Sequence, residues 1–197
     1  QCSEFVATLS DMSAEVRQSD HHLQQTAGRV DKVVALSETL IQLTASAGIR
    51  TADSDWIDTA VDVAARISQV FQQAIDSGRI RTSDLFDRNY RPVAGTNPPK
   101  FKVSWGEEFT RRCQSILDDS LNATRGAAFA VAVNTDSYLS AHNTRFSKPL
   151  TGDPAKDLVG NRSCRKFERP PEVRAARNTE AMLLQTYLRD TGEVLCD

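Results

Sequence analysis

The sequence predicts an α+β fold, with a long N-terminal helix, a second helical segment, and then an antiparallel sheet with covering helices. Three observations predict it. Residues 4 to 48 contain no Pro and repeat their apolar residues by heptads. Residues 54 to 121 hold two stretches with a 3.6-residue apolar period, and from residue 127 the pattern becomes one of short strands and turns.

With a at 6 and d at 9, the heptad seam reads Val6, Leu9, Ser13, Val16, Asp20, Leu23, Ala27, Val30, Val34, Ser37, Ile41 and Thr44, of which eight of twelve are apolar. A 3.5-residue period sustained over this length is that of a coiled coil or a long helical hairpin, and residues 1–48 are assigned to it. Asp20 weakens the seam but can set its register. His21 and His22 are read as solvent-facing.

Gly48 breaks the helix, and Ser54 or Asp55 is the expected cap of the next one. Trp56, Ile57, Ala60, Val61, Ala64, Ile67, Val70, Phe71, Ala74 and Ile75 form its apolar face, and Gly78 ends it. "RTSDLFDRNYRPVAGTNPPK" reads as a connector with one turn of helix at Ser83 to Phe86. A third helix from about 104 to 121 aligns Trp105, Phe109, Cys113, Ile116, Leu117 and Leu121, with Cys113 as a small core residue.

"AAFAVAV" (127–133) and "SYLSAH" (137–142) read as strands around the turn "NTDS". Residues 154 to 167 read as a short helix capped by Asp153, with Pro154 in its first turn. "MLLQTYL" and "EVLC" read as strands joined by the hairpin turn "RDTG". Residues 49–197 thus divide into a helical part, 49–125, and a sheet part, 126–197. A sheet of about four strands ending at Asp197 would have an open edge, so the domain is expected to be truncated or covered there.

Composition narrows the function. Forty per cent hydrophobic and 25% charged residues are ordinary for a globular chain, and a net charge of −2 argues against a nucleic-acid binder. No run approaches the roughly 20 apolar residues that span a bilayer, and the N-terminus has no signal pattern. Cys2, Cys113, Cys164 and Cys196 are far apart and form no CxxC pair, which suits free thiols in a reducing, cytoplasmic compartment.

The chain has no GxSxG, HExxH, GxxxxGK[ST] or GxGxxG signature and no Cys/His metal spacing, so it is not expected to be an enzyme. Its charge is uneven. Residues 140 to 180 hold nine basic and five acidic side chains, a net of +4, whereas residues 1 to 60 hold four basic and nine acidic, a net of −5. Arg162 and Arg165 would share a helix face, and Arg177 and Asn178 precede a strand bearing Gln185 and Tyr187. Guanidinium forks and amides converging on a cavity suit a carboxylate-bearing or otherwise polar ligand. The alternative is a solvated surface in which these arginines pair with Asp157, Glu168 and Glu172. His142 is either a hydrogen-bonded structural histidine or a ligand-binding one, and Tyr138 reads as a core residue whose hydroxyl reaches a partner.

"ETLIQLTASAGIRTADSDWIDTA", "YLSAHNTRFSKPLTGDP", "NRSCRKF" and "AARNTEAMLLQTYLRDTGE" together resemble the sensory region of bacterial methyl-accepting chemotaxis proteins, over roughly residues 38 to 197. The resemblance implies a PAS/Cache-like sensor with Tyr138, His142, Asn143, Arg162, Arg165, Phe167, Arg177, Asn178 and Gln185 at motif positions, and Ser137 where such sequences have Gly. It implies a non-enzymatic signalling module that binds a small, possibly anionic, molecule and forms a homodimer through the N-terminal helix. The chemotaxis kinase and coupling protein would be reached through the signalling domain of the parent protein. No cofactor, nucleic acid or membrane segment is implied. Two rivals stand beside this reading: a haem-binding gas or redox sensor with His142 as axial ligand, and a dimerisation module without a ligand.

Overall fold

The computed structural model describes residues 2–189 and 192–197, with side chains from residue 12 onward. The seam positions Val6 and Leu9 and the thiol of Cys2 lie outside the described side chains, as do Asp190 and Thr191 of the "RDTG" turn. The fold is α+β and rich in helix. Helix α1 (Cys2–Ser46) is followed by α2 (Ser54–Asp76), α3 (Thr82–Leu85) and α4 (Gly106–Ala123), then by α5 (Pro154–Gly160) and α6 (Pro170–Ala176). The strands form three separate two-stranded antiparallel ladders rather than the expected four-stranded sheet: β1 (Arg91–Pro92) with β2 (Phe101–Lys102), β3 (Tyr138–Leu139) with β4 (Arg165–Lys166), and β5 (Thr186–Leu188) with β6 (Val194–Cys196).

The core is made where α2 packs on α4. Val63, Ile67 and Ala74 of α2 meet Phe109, Cys113, Ile116 and Leu117 of α4, and Trp105 closes one end. The face predicted for α4 is the face that is buried. That of α2 is narrower than expected: Trp56 and Val61 are exposed, and Ala60 and Ala64 also face solvent. The cap differs too. Asp53 occupies the N-cap, while Ser54 Oγ accepts the Thr51 N–H at 2.7 Å. Phe71 stacks on Phe109 at 5.7 Å and meets the edge of Trp105 at 6.3 Å. Burying Phe109 to 3% exposure contributes about 2 kcal/mol by apolar transfer.

Two local expectations fail, each because side chains from elsewhere take the backbone's hydrogen bonds. Residues 127–133 are not a strand. The Ala130 N–H goes to Asn143 Oδ1 at 2.8 Å, the Ala128 carbonyl accepts from Arg145, and β3 takes β4 as its partner. The turn "NTDS" itself forms, with Asn134 Oδ1 accepting the N–H groups of Asp136 and Tyr138 at 3.0 Å each. Ser137 adopts φ 56, the left-handed region that favours Gly.

The helix expected over 154–167 has the predicted cap, Asp153 accepting from Ala155 N and Lys156 N, but it stops at Gly160. Beyond it the buried Lys100 ammonium takes the Asn161 and Ser163 carbonyls and Asn161 Oδ1, so those carbonyls are not available to a helix. Conversely, residues 170–176 form a helix, with Pro170 in its first turn, where none is expected from the sequence, and the connector closes into the β1–β2 ladder. The C-terminal hairpin forms as expected, with Tyr187 opposite Leu195, although regular strand begins only at Thr186.

Helix α1 is continuous, and Gly48 follows its end with φ 74. Most of its described apolar side chains are exposed, among them Val16, Leu23 and Val30. Its last turns do meet the body. Glu38 is 7% exposed, accepting the Thr186 N–H at 2.5 Å and pairing with Arg174 at 3.4 Å, and Gln42 Nε2 donates to the Met182 carbonyl at 3.3 Å. No helix among the described residues is long and apolar enough to cross a membrane.

Candidate functional site

The chain leaves β3 through Ser140, Ala141, His142 and Asn143, all buried. This turn lacks regular structure and is held by side chains of α4. Asn143, fully buried, donates through Nδ2 to the Leu117 carbonyl at 2.8 Å and accepts Ala130 N–H. Gln114 Nε2 donates to the His142 carbonyl at 2.7 Å, and Asp118 accepts both Thr144 N–H and Thr144 Oγ1–H at 2.8 and 2.6 Å. Ser140 Oγ donates to the Gly106 carbonyl at 2.9 Å, and a Cβ at Gly106 would lie 3.0 Å from Ser140 Oγ, close enough to push against this hydrogen bond.

His142 is the centre of the node. Its Nδ1 accepts the Asn143 N–H at 2.8 Å, which places the ring proton on Nε2. The ring lies edge-on to Phe146 at 4.7 Å and to Phe129 at 5.6 Å. Burial, then the positive charges of Arg162, Arg189, Arg145 and Arg165, push its pKa down to about 3, so the imidazole is neutral at physiological pH. Those arginines are ordered by aromatic faces. Arg162 and Arg165 lie over Phe167 at 5.0 and 4.9 Å, Arg145 over Phe146 at 4.9 Å, and Arg189 over Phe129 and Phe146 at 5.2 and 5.4 Å. Arg162 and Arg165 also both donate to the Leu158 carbonyl, at 3.4 and 3.2 Å.

The predicted residues therefore sort into groups. His142, Arg162, Arg165 and Phe167 come together, although Arg162 and Arg165 reach the node from a loop and from β4 rather than from one helix face. Tyr187 borders them: burial raises its phenol to about 12, with Asp197 adding to the rise while Arg189 and Arg162 oppose it. Asn143 stands behind the node as its support. Tyr138 is a core residue, its hydroxyl donating to the Phe101 carbonyl at 2.8 Å and its ring 5.7 Å from Trp105. Gln185 is buried and donates to the Pro171 carbonyl at 2.9 Å, tying β5 to α6. Arg177 and Asn178 lie apart, at the C-terminal end of α6; Arg177 is exposed, and Asn178 makes a local turn with Glu180.

Arg145, Arg189, Phe129 and Phe146 were missed. Strand alternation places Arg189 on the face of Gln185 and Tyr187, a legible signal once "RDTG" is not read wholly as a turn. Nothing local marks Phe129 or Arg145. His142 is 3% exposed, so haem ligation would require the groups packed around its ring to move aside. Among the described residues no group of three His, Cys, Asp or Glu side chains could hold a metal ion. Comparison with family models, with curated proteins and with solved structures gives no match.

Proposed function

We propose that this chain is a non-enzymatic ligand-sensing and signal-transducing module of the chemoreceptor kind, with a PAS/Cache-like role for its body and α1 as its output helix. The observation that carries this reading is that Arg145 and Arg189 lie over Phe146 and Phe129, the two rings packed against His142, with Arg162 and Arg165 over Phe167 nearby. Guanidinium groups gathered over aromatic faces, with a ring N–H among them, suit a small anion such as a carboxylate or phosphate. Arg189 belongs to the β5–β6 hairpin, whose Thr186 N–H is held by Glu38 of α1. An anion that draws Arg189 would therefore act on the strand that α1 grips. In this reading the protein is a cytoplasmic homodimer through α1, and the kinase and coupling protein are reached through the parent protein's signalling domain.

The test is thermal melting of the full chain with phosphate, sulfate and succinate. A saturable rise following RT ln(1 + [L]/Kd) is expected for at least one of them. It should be lost in Arg189→Gln and Arg145→Gln. Absence of any shift with all three, or an undiminished shift in both variants, would count against the anion node.

A further inference from the structure

We propose that the groove beside α6 is a second binding site, for a small monocarboxylate with an apolar tail, whose carboxylate takes Arg177 and competes with Glu38 for Arg174. The groove has a volume of about 530 Å³ and is lined by Pro170, Val173, Arg174, Arg177, Asn178 and Leu183. It is an open surface groove rather than an enclosed cavity, so a ligand there would keep part of its surface in water. Its chemistry is divided: Pro170, Val173 and Leu183 supply apolar wall, and two guanidiniums three residues apart supply charge on one side of the helix. A ligand that satisfies both is an amphiphile with a single acidic head.

The two arginines differ in how firmly they are held. Arg177 makes no hydrogen bond or ion pair through its guanidinium among the described residues. Arg174 is half exposed, and its only described partner is Glu38 Oε2 at 3.4 Å, longer than the roughly 2.7–2.9 Å of a well-formed charged hydrogen bond. Glu38 does not depend on it alone, because Oε1 holds the Thr186 N–H at 2.5 Å. Arg174 can therefore turn to a carboxylate in the groove while Glu38 keeps a donor. The exchange removes one of the ties between α1 and the body, and so links this groove to the output helix by a route that does not pass through His142.

Isothermal titration of the full chain with octanoate, octanamide and inorganic phosphate tests the proposal. Octanoate should bind saturably, and octanamide and phosphate at least tenfold more weakly at this site. Arg177→Ala should weaken octanoate at least tenfold. As Arg177 is exposed, this variant should fold, which an unchanged melting temperature without ligand would verify. Glu38→Gln removes the competing charge and should tighten octanoate several-fold. Arg189→Gln, at the other node, should leave octanoate binding unchanged, so either site can fail without the other. The proposal is overturned if octanoate does not bind, if octanamide or phosphate binds Arg177 as well as octanoate does, if Arg177→Ala binds like the parent, or if Glu38→Gln gains nothing.

Discussion

From residue 12 to residue 33 every side chain of α1 is exposed, whereas from Ser137 to Asn143 every residue is buried. The first region is regular helix throughout, and the second has only two residues of strand. Regularity and burial are therefore separate properties here. A helix satisfies its backbone with bonds four residues apart and can be regular without touching anything else, but its apolar stripe then awaits a partner. Beyond its pairing with β4, the turn at 137–143 satisfies its backbone through the side chains of Gln114, Ser163 and Asn134, which lie on other elements or across the turn. Its order is only as good as those distant side chains.

The largest expected effect that breaks this contrast is acidification. The folded state holds His142 neutral with a pKa near 3, against 6.5 for the free side chain. The unfolded chain thus takes up a proton that the folded one refuses. The stability from this group is present above pH 6.5 and is lost as pH falls from 6.5 toward 3, by about 5 kcal/mol in all. Urea denaturation of the parent and of His142→Asn across that window should give a steeper acid loss in the parent. Superimposable pH profiles would show that the ring titrates normally.

Next in size is Asn143→Ala, which leaves the half-buried Ala130 N–H without its acceptor, removes a second donor from the Leu117 carbonyl and empties a fully buried site, and should cost about 3 kcal/mol. Ser19→Ala on the exposed part of α1 should change stability by less than about 0.5 kcal/mol in the same measurement. Glu38→Ala acts at the junction of the two regions. It strands the Thr186 N–H and removes the Arg174 pair, so a loss of roughly 1–2 kcal/mol is expected. Hydrogen exchange should then quicken in the last turns of α1 and in β5, and leave α4 as slow as before. Uniform acceleration would mean that the junction is not local.

The smallest effect on the body, and the sharpest on assembly, should come from Leu23→Asp together with Val30→Asp. Both side chains are exposed on the seam, so the melting of the body should move by less than about 0.5 kcal/mol. Sedimentation should show a dimeric parent and a monomeric variant. A parent that is monomeric at high concentration would remove the dimer. Val34 suits this test less well, because it is half-buried where α1 meets the body.

What the sequence by itself determined are the elements held by local bonds: α1 to within two residues of Gly48, the buried face of α4, the Asp153 cap of α5, and the β5–β6 hairpin. In each, the hydrogen bonds and the apolar period lie within a few residues, so a window of sequence contains the cause. Only the tertiary structure decided the rest. Residues 127–133 have a strand's composition, but Asn143 and Arg145 take their polar groups. Arg162 and Arg165 leave the expected helix because Lys100, 61 residues before Asn161, captures the carbonyls that would have continued it. The node around His142 likewise gathers Phe129, Phe146, Arg145 and Arg189 from separate segments. A buried polar group takes whichever partner the packed chain brings within about 3 Å, and no stretch of sequence specifies that partner by its own spacing.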